Sequence, residues 1–269
     1  MKTIFMTGTS SGLGKAAVKL FAERGWKVIA TMRKPAEEAE LVKLENVVLL
    51  PLDVADPEMI KEIAGKAIEM GVDVVLNNAG YGLGGALEGY SDEQIVNQVN
   101  TNLLGVIRVT QAFVPYFRAK RSGMFLTTTS IGGVITFPFY SVYSATKWGV
   151  EGFCESLSFE MNQFGIAVKT ISPGGIRSNF RGSQVFAQNE AYAPLFQKVV
   201  NAFVQGKTPT VVSEPEAIAA VIYEAATDGK DQLRYQAGPD AVSYVAERKR
   251  MGDEAFRRYL SELFFSADR

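Results

Sequence analysis

The chain has 269 residues, 47% of them hydrophobic, and its 28 lysines and arginines nearly balance its 29 aspartates and glutamates. This length suits one α/β domain, and the small net charge argues against a nucleic-acid partner or an anionic membrane surface. With no histidine and one cysteine, Cys154, the chain excludes a Ser-His-Asp triad, an HExxH zinc site and an intrachain disulfide. We therefore expect no metal site, and acid–base chemistry must use Tyr, Lys, Asp or Glu.

No apolar run is long enough for a signal-peptide core or a membrane helix. We expect a cytoplasmic protein without a membrane span.

The elements alternate along the first two thirds of the chain. KTIFMT leads into glycine-rich GTSSGLG, amphipathic KAAVKLFAERG and a second apolar run, WKVIAT, which is the pattern of a βαβ unit. Further apolar runs are VVLLPL, VDVVLNNAG, GMFLTTTS and IAVKTISPG, and helical spacing occurs at 57–70, 93–119 and 143–164. Strands that are apolar on both sides and alternate with helices predict a doubly wound, Rossmann-type parallel sheet of about seven strands, with helices on both faces.

The pattern weakens after residue 176. The sequence there predicts a helix at 214–227, a short strand near RYQAG and a last amphipathic helix to the C-terminus. We find no repeat, low-complexity tract or linker, so residues 1–269 are expected to form a single domain.

Three glycines lie where the first strand turns into the first helix. Gly8 permits the tight turn, Gly12 lets the backbone approach a pyrophosphate, and Gly14 lets the helix pack closely on the strand. The helix N-terminus also offers free N–H groups to phosphates. The placement of these glycines predicts nucleotide binding; a purely structural loop is the alternative.

Together, the motifs resemble the short-chain dehydrogenase/reductase family in its compact, single-domain branch. TGTSSGLG, NNAG at 77–80, Ser130, YSATK at 143–147 and SPGGIRS at 172–178 follow the order and separations of that family. The chain looks most like 17β-hydroxysteroid dehydrogenase-like and retinol dehydrogenase-like enzymes. The resemblance implies one dinucleotide-binding oxidoreductase domain with a substrate lid around 179–205, and a homodimer or homotetramer.

The end of the second strand indicates the cofactor. An NAD enzyme needs a carboxylate there for the ribose 2′-hydroxyl, whereas an NADP enzyme needs a cation for the 2′-phosphate. This chain has Met32, Arg33 and Lys34, with no acid until Glu37. We predict NADP(H) in preference to NAD(H), although Ser11 stands where the family often has a second basic residue. The alternative for both cations is an ordinary solvated strand end.

Other cofactor contacts follow from the resemblance. Asp53 would lie by the adenine, although it could simply cap a turn; Asn78 in the NNAG turn would line the cofactor, and the backbone of PGGIR would meet the nicotinamide carboxamide. The predicted cofactor residues are Gly8, Ser10, Ser11, Gly12, Leu13, Gly14, Arg33, Asp53, Asn78, Ala79, Gly80, Tyr143, Lys147, Pro173, Gly174, Ile176 and Ser178.

Two Tyr-Lys pairs have the i, i+4 spacing that places both side chains on one helix face. They are Tyr143 with Lys147 and Tyr116 with Lys120. Only Tyr143 follows a residue such as Ser130, which ends a strand at the carboxyl edge of the sheet. Tyr143 is therefore the predicted acid/base, and Tyr116 is expected to pack.

Hydride transfer to a carbonyl carbon needs a proton donor at the oxygen, and a phenol with a pKa of about 10 suits neutral pH poorly. Lowering this pKa by about 3 units takes about 4 kcal/mol, which a cation about 4 Å away supplies at an effective dielectric near 20. Lys147 is the candidate cation. The resemblance adds that Lys147 holds the ribose, Ser130 binds the substrate oxygen and Asn102 positions a relay water. Asn100, or a capping role for Asn102, is the alternative.

Aromatic and apolar residues around these positions predict a hydrophobic carbonyl or alcohol substrate, although they could instead hold the lid together. They are Tyr81, Leu83, Phe137, Phe139, Tyr140, Phe180, Phe186, Tyr192, Leu195 and Phe196. Two other functions stay open: an isomerase or dehydratase of the same superfamily, and a non-catalytic NADP(H)-binding sensor.

Overall fold

The computed structural model describes residues 1–177, 185–187 and 189–265. Its strands are β1 (Thr3–Thr7), β2 (Lys27–Met32), β3 (Val47–Pro51), β4 (Val74–Asn77), β5 (Leu83–Gly85), β6 (Gly123–Thr128), β7 (Ile166–Pro173), β8 (Val185–Ala187) and β9 (Arg234–Ala237). Seven of them form one sheet in the order β3-β2-β1-β4-β6-β7-β9, and every neighbouring pair is parallel. The predicted doubly wound parallel sheet is confirmed.

Helices connect these strands. They are α1 (Gly12–Glu23), α2 (Pro57–Glu69), α3 (Asp92–Val99), α4 (Gly105–Lys120), α5 (Ser141–Met161), α6 (Ala193–Val204), α7 (Pro215–Thr227), α8 (Pro239–Met251) and α9 (Asp253–Phe265). Local signals set their starts: at α2 the Asp56 carboxylate accepts two backbone N–H bonds, and proline occupies the first turn. In the described part of the chain, no helix is both long and apolar enough to cross a membrane.

Hydrophobic layers cover both faces of the sheet. Along β1, Ile4 and Met6 pack toward α1 and α7, while Phe5 packs toward α2, α4 and α5. Successive strand side chains point to opposite faces, so a strand covered on both sides carries apolar residues in succession, as β1 does at Ile4, Phe5 and Met6 between the buried Thr3 and Thr7. This is why apolar runs, rather than alternating ones, marked the strands in the sequence.

The strand order reverses between β1 and β4. The chain leaves β1 toward β2 and β3 on one side, and later crosses to β4, β6, β7 and β9 on the other. Such a switch point leaves a crevice at the carboxyl ends of the strands, where ligands of doubly wound folds bind. The loops carrying the predicted site residues all leave this edge.

Three details differ from the sequence-based expectation. The segment 93–119 is not one regular helix, because a π-helical turn, Asn100–Leu104, joins α3 to α4. The single C-terminal helix is wrong: α8 and α9 are separate, since the chain turns at Gly252, where φ is +79°. The pairing of β5 with β8 was not predicted, because two of the three β5 residues are glycines, which disfavour strands.

Candidate active site

The loops after β1 and β4 pack tightly together. A Cβ at Gly8, where φ is +69°, would lie 2.6 Å from Ala79 Cα, and one at Gly14 would lie 2.2 Å from the Gly8 carbonyl oxygen. Asn78 Nδ2 donates to the carbonyl oxygens of Thr7 (3.1 Å) and Gly8 (3.0 Å). Only glycine fits at these contacts, and the amide of Asn78 holds the two loops at a fixed separation.

A cleft of about 690 Å³ runs along this edge of the sheet. Its lining includes Ser130 and every predicted cofactor residue that the structure describes: Gly8, Ser10, Ser11, Gly12, Leu13, Gly14, Arg33, Asp53, Asn78, Ala79, Gly80, Tyr143, Lys147, Pro173, Gly174 and Ile176. Ser178, Phe180 and residues 179–184 and 188 of the predicted lid lie outside the described residues.

At one end of the cleft, the two cations after β2 are in different situations. Arg33 is exposed and lines the cleft. Lys34 does not line it, and its Nζ lies 3.0 Å from Glu37 Oε1. Asp53 lines the cleft and also accepts the backbone N–H of Ala55 at 2.9 Å, so it makes the expected turn while facing the cleft.

At the other end, three of the predicted catalytic side chains meet. The hydroxyl groups of Ser130 and Tyr143 are hydrogen-bonded, and Ser130 Oγ accepts the N–H of Gly132 at 3.0 Å. Lys147 Nζ donates to the Thr128 carbonyl at 3.2 Å and lies 5.9 Å from the centre of the Tyr143 ring. The end of β6 and the first turns of α5 therefore form one wall of the cleft.

Burial dominates the protonation of this pair. It raises the pKa of Tyr143 to about 12, with an opposing contribution from the Ser130 hydrogen bond and a smaller upward one from Tyr140. It lowers the pKa of Lys147 to about 8, while the negative charge of Glu151 acts in the opposite direction. The phenol is therefore neutral at physiological pH. The expectation that Lys147 brings the pKa of Tyr143 toward 7 is not met in the protein alone.

Asn102 lies behind the cleft rather than on its surface. It is fully buried in the π-helical turn, where its Nδ2 donates to the Tyr81 carbonyl (2.8 Å) and its Oδ1 accepts the Tyr81 N–H (3.1 Å). A Cβ at Gly80 would lie 3.2 Å from Asn102 Oδ1 and 3.7 Å from Lys147 Nζ. Asn102 therefore fixes the backbone beside the lysine, and π-bulges of this kind recur at functional sites.

The competing pair sits elsewhere. Lys120 Nζ pairs with Asp73 Oδ1 at 2.6 Å and lies 5.7 Å from the centre of the Tyr116 ring. Neither Tyr116 nor Lys120 lines the cleft, and Tyr116 packs against the core.

Sequence reasoning missed several lining residues. They are Met32, Leu52, Val54, Ala55, Asn97, Thr101, Thr128 and Thr129. Most are neighbours of residues that were predicted, so the available signal was adjacency at a strand end. Asn97 and Thr101 come from α3 and the π-helical turn, where only the fold brings them to the cleft.

The residues around the cleft fit a phosphorylated dinucleotide. The first turn of α1 contains no acidic residue, and its N-cap, Ser11, makes no side-chain capping bond, so the positive end of the helix is available to an anion. Arg33 adds a cation. The buried hydroxyl of Thr128 has no hydrogen-bond partner among the described residues, which suits a polar ligand group near Lys147.

Known proteins resemble the chain over most of its length. The sequence profile of the family described as short chain dehydrogenase matches residues 2–189. An uncharacterised oxidoreductase of Schizosaccharomyces pombe is 40% identical, over 84% of this chain and 96% of its own. A 3-ketodihydrosphingosine reductase of Bacteroides thetaiotaomicron is 33% identical (98% and 97%). A 17-beta-hydroxysteroid dehydrogenase type 1 of Mus musculus is 31% identical (94% and 81%).

Solved structures give the same picture. A short-chain dehydrogenase from Streptomyces avermitilis superposes with a TM-score of 0.84 at 32% identity, covering 97% of this chain and 95% of its own. An alcohol dehydrogenase from the archaeon Thermococcus sibiricus, complexed with 5-hydroxy-NADP, gives 0.71 at 25% identity, covering 88% and 95%.

Proposed function

Because the chain belongs to the short-chain dehydrogenase family of oxidoreductases, we propose that it transfers a hydride between NADP(H) and a carbonyl group or the corresponding secondary alcohol. The observation that carries this proposal is the meeting of Ser130, Tyr143 and Lys147 on one wall of the cleft, at the opposite end from Arg33.

The wall of the cleft suits proton donation to a carbonyl oxygen. Bound NADPH would supply the hydride. The hydroxyl groups of Ser130 and Tyr143 lie side by side, so both can donate hydrogen bonds to one substrate oxygen. Tyr143 then transfers its proton as negative charge develops on that oxygen, acting as the general acid.

Lys147 has two proposed roles. Its ammonium stabilises the tyrosinate left after proton transfer, and it holds the nicotinamide ribose. We further propose that Asn102 orders a water molecule between the Tyr81 backbone and Lys147, through which the proton is replaced. The short separations around Gly80 support this route.

The preference for NADP(H) is supported by charge. Arg33 lines the cleft directly after β2 and has no ion-pair partner within the described residues, so it is available to a 2′-phosphate. The Thermococcus sibiricus relative, which was solved with 5-hydroxy-NADP, agrees with this choice. The remaining proposed cofactor contacts are those of the cleft-lining residues given above.

A hydrophobic substrate is supported by a series of aromatic rings beside Tyr143. Ring centres are 6.1 Å apart for Tyr140 and Tyr143, 6.4 Å for Tyr140 and Phe186, and 5.9 Å for Phe186 and Phe196. Two relatives are named for a sphingosine-type ketone and a hydroxysteroid, and both compounds are largely hydrocarbon. Phe137 does not join this series, because it packs against Tyr244 and the C-terminal helices.

We also propose a homodimer or homotetramer formed through the long helices that follow β5 and β6. Phe159 and Trp148, both on α5, are 69% and 42% exposed. Such side chains are suited to an interface between copies.

The test is consumption of NADPH, and separately of NADH, with a panel of hydrophobic ketones and with polar hydroxyketones as the comparison. Tyr143→Phe removes only the phenolic oxygen and is expected to abolish turnover while leaving NADPH binding intact. Tyr116→Phe, the matched control from the competing pair, is expected to keep full activity.

Turnover that survives in Tyr143→Phe would overturn the assignment of the acid. Preference for the polar substrates would contradict the hydrophobic class. Tight NADPH binding without turnover on any substrate would favour the sensor.

A further inference from the structure

A buried carboxylate lies behind the wall of the cleft that is formed by the end of β6 and the first turns of α5. Glu151, on α5, is 4% exposed. Its Oε1 accepts hydrogen bonds from Thr129 Oγ1 (2.6 Å) and Ser172 Oγ (3.0 Å). Its Oε2 accepts from Thr170 Oγ1 (3.1 Å) and from Arg234 Nε (3.1 Å). A buried charge is costly unless it is paired and hydrogen-bonded, and here four donors satisfy it.

The partners of Glu151 belong to the segments that build the active site. Thr129 stands between Thr128, whose carbonyl accepts the Lys147 ammonium, and Ser130. Ser172 is the penultimate residue of β7 and lies immediately before Pro173 and Gly174, which line the cleft. One carboxylate therefore joins the ends of β6 and β7 to the helix that carries Tyr143 and Lys147.

Glu151 also acts on Lys147 through charge. The two residues are one helical turn apart, the i, i+4 arrangement in which side chains are neighbours. Burial pulls the pKa of Lys147 down to about 8, and the carboxylate opposes this effect. The other groups around them are Arg234 from β9, which pairs with the carboxylate from outside, and Tyr143 and Cys154 on the same helix.

We propose that Glu151 is a positioning residue that keeps Lys147 in its ammonium form and holds the Thr128–Ser130 segment in register with it. This inference rests on the role of Lys147 in the proposed function. Glu151 touches neither the cleft nor the reacting groups, so its effect must pass through the lysine and the strand end.

Three variants distinguish an electrostatic effect of Glu151 on Lys147 from a general destabilisation of the fold. Glu151→Gln removes the charge and keeps an amide of the same shape. Arg234→Gln removes the outer cation, while three hydroxyl donors stay on the carboxylate. Glu155→Gln is the matched control, because Glu155 pairs with the same Arg234 (2.6 Å) but is half exposed and contacts none of the three hydroxyls.

The first readout is the titration midpoint of the Lys147 side chain, which does not require turnover. It is measured by NMR on protein labelled at the lysine Cε, and the Lys147 signal is assigned with the variant Lys147→Arg. We expect the midpoint to fall by about one pH unit in Glu151→Gln, from a unit charge at helical-neighbour distance. It should rise in Arg234→Gln and stay within about 0.2 units in Glu155→Gln.

The second readout is the pH dependence of kcat/KM for ketone reduction, whose alkaline limb should move in the same directions. A lower Lys147 midpoint in Glu151→Gln together with a higher one in Arg234→Gln supports the proposal, because general destabilisation would not shift the midpoint in opposite directions in the two variants. An unmoved midpoint in Glu151→Gln, or shifts of one sign in both, would overturn it. If Glu151→Gln does not fold, a midpoint in Arg234→Gln that fails to rise overturns it equally. A wild type without turnover would refute the proposed function alone, since the NMR midpoints would still decide the role of Glu151.

Discussion

Replacing Arg33 with alanine should change the affinity for NADPH but not the affinity for NADH, because only NADPH has the 2′-phosphate that Arg33 is proposed to bind. A hydrogen bond to a charged group contributes about 1.5–3 kcal/mol, and Arg33 is exposed, which places the expected loss at the lower end of this range. About 1.4 kcal/mol corresponds to a tenfold change in the dissociation constant. We therefore expect Arg33→Ala to weaken NADPH binding about tenfold and to leave NADH binding within about twofold, because NADH has no 2′-phosphate.

The structure supplies the control for this experiment. Lys34, the next residue, pairs with Glu37 at 3.0 Å and does not line the cleft, so Lys34→Ala should leave both affinities nearly unchanged. Binding would be measured by calorimetric titration at two salt concentrations, since screening weakens an exposed charge pair. Equal weakening of NADPH and NADH in Arg33→Ala, or a larger effect of Lys34→Ala, would refute the reasoning.

Three further outcomes are expected. Gly14→Ala should lower the free energy of unfolding by about 1–3 kcal/mol, because its Cβ would lie 2.2 Å from the Gly8 carbonyl oxygen; a denaturant titration measures the loss, and an unchanged midpoint would contradict the close approach. The kcat/KM of ketone reduction should fall as pH rises through about 8, where Lys147 loses its proton; a profile still flat at pH 9.5 would exclude that role. Phe186→Ala should raise KM for bulky ketones several-fold and leave KM for NADPH unchanged, because Phe186 lies in the ring series with Phe196; a lower thermal midpoint with unchanged KM would indicate a purely packing role.

Local sequence signals were sufficient for most of the fold. Apolar runs located most strands of the main sheet, because strands covered on both faces are largely apolar. Glycines directly after β1 marked the first turn of the cleft, since the close approach of the β1 and β4 loops leaves no room for a side chain at Gly8 or Gly14. The helical spacing and the preceding strand end brought Ser130, Tyr143 and Lys147 into one candidate set. These features depend on residues near one another in the chain.

Contacts between distant segments decided the rest. In the sequence, Arg33 and Lys34 are two adjacent cations with equal claims to the 2′-phosphate. Only the folded loop places Arg33 in the cleft lining and pairs Lys34 with Glu37. The neutral phenol of Tyr143 follows from its desolvation in the wall of the cleft, which the Tyr-Lys spacing in the sequence does not indicate. Likewise, nothing in the sequence distinguishes Glu151 from other residues of its helix. In the folded protein, the segments of β6, β7 and β9 bring four hydrogen-bond donors to its carboxylate. The hydrophobic periodicity and the residue types of the sequence determined which helices and strands form and which residues reach the edge of the sheet. The protonation states and contacts of those residues were determined by desolvation and by charges from distant segments, and both arise only in the folded molecule.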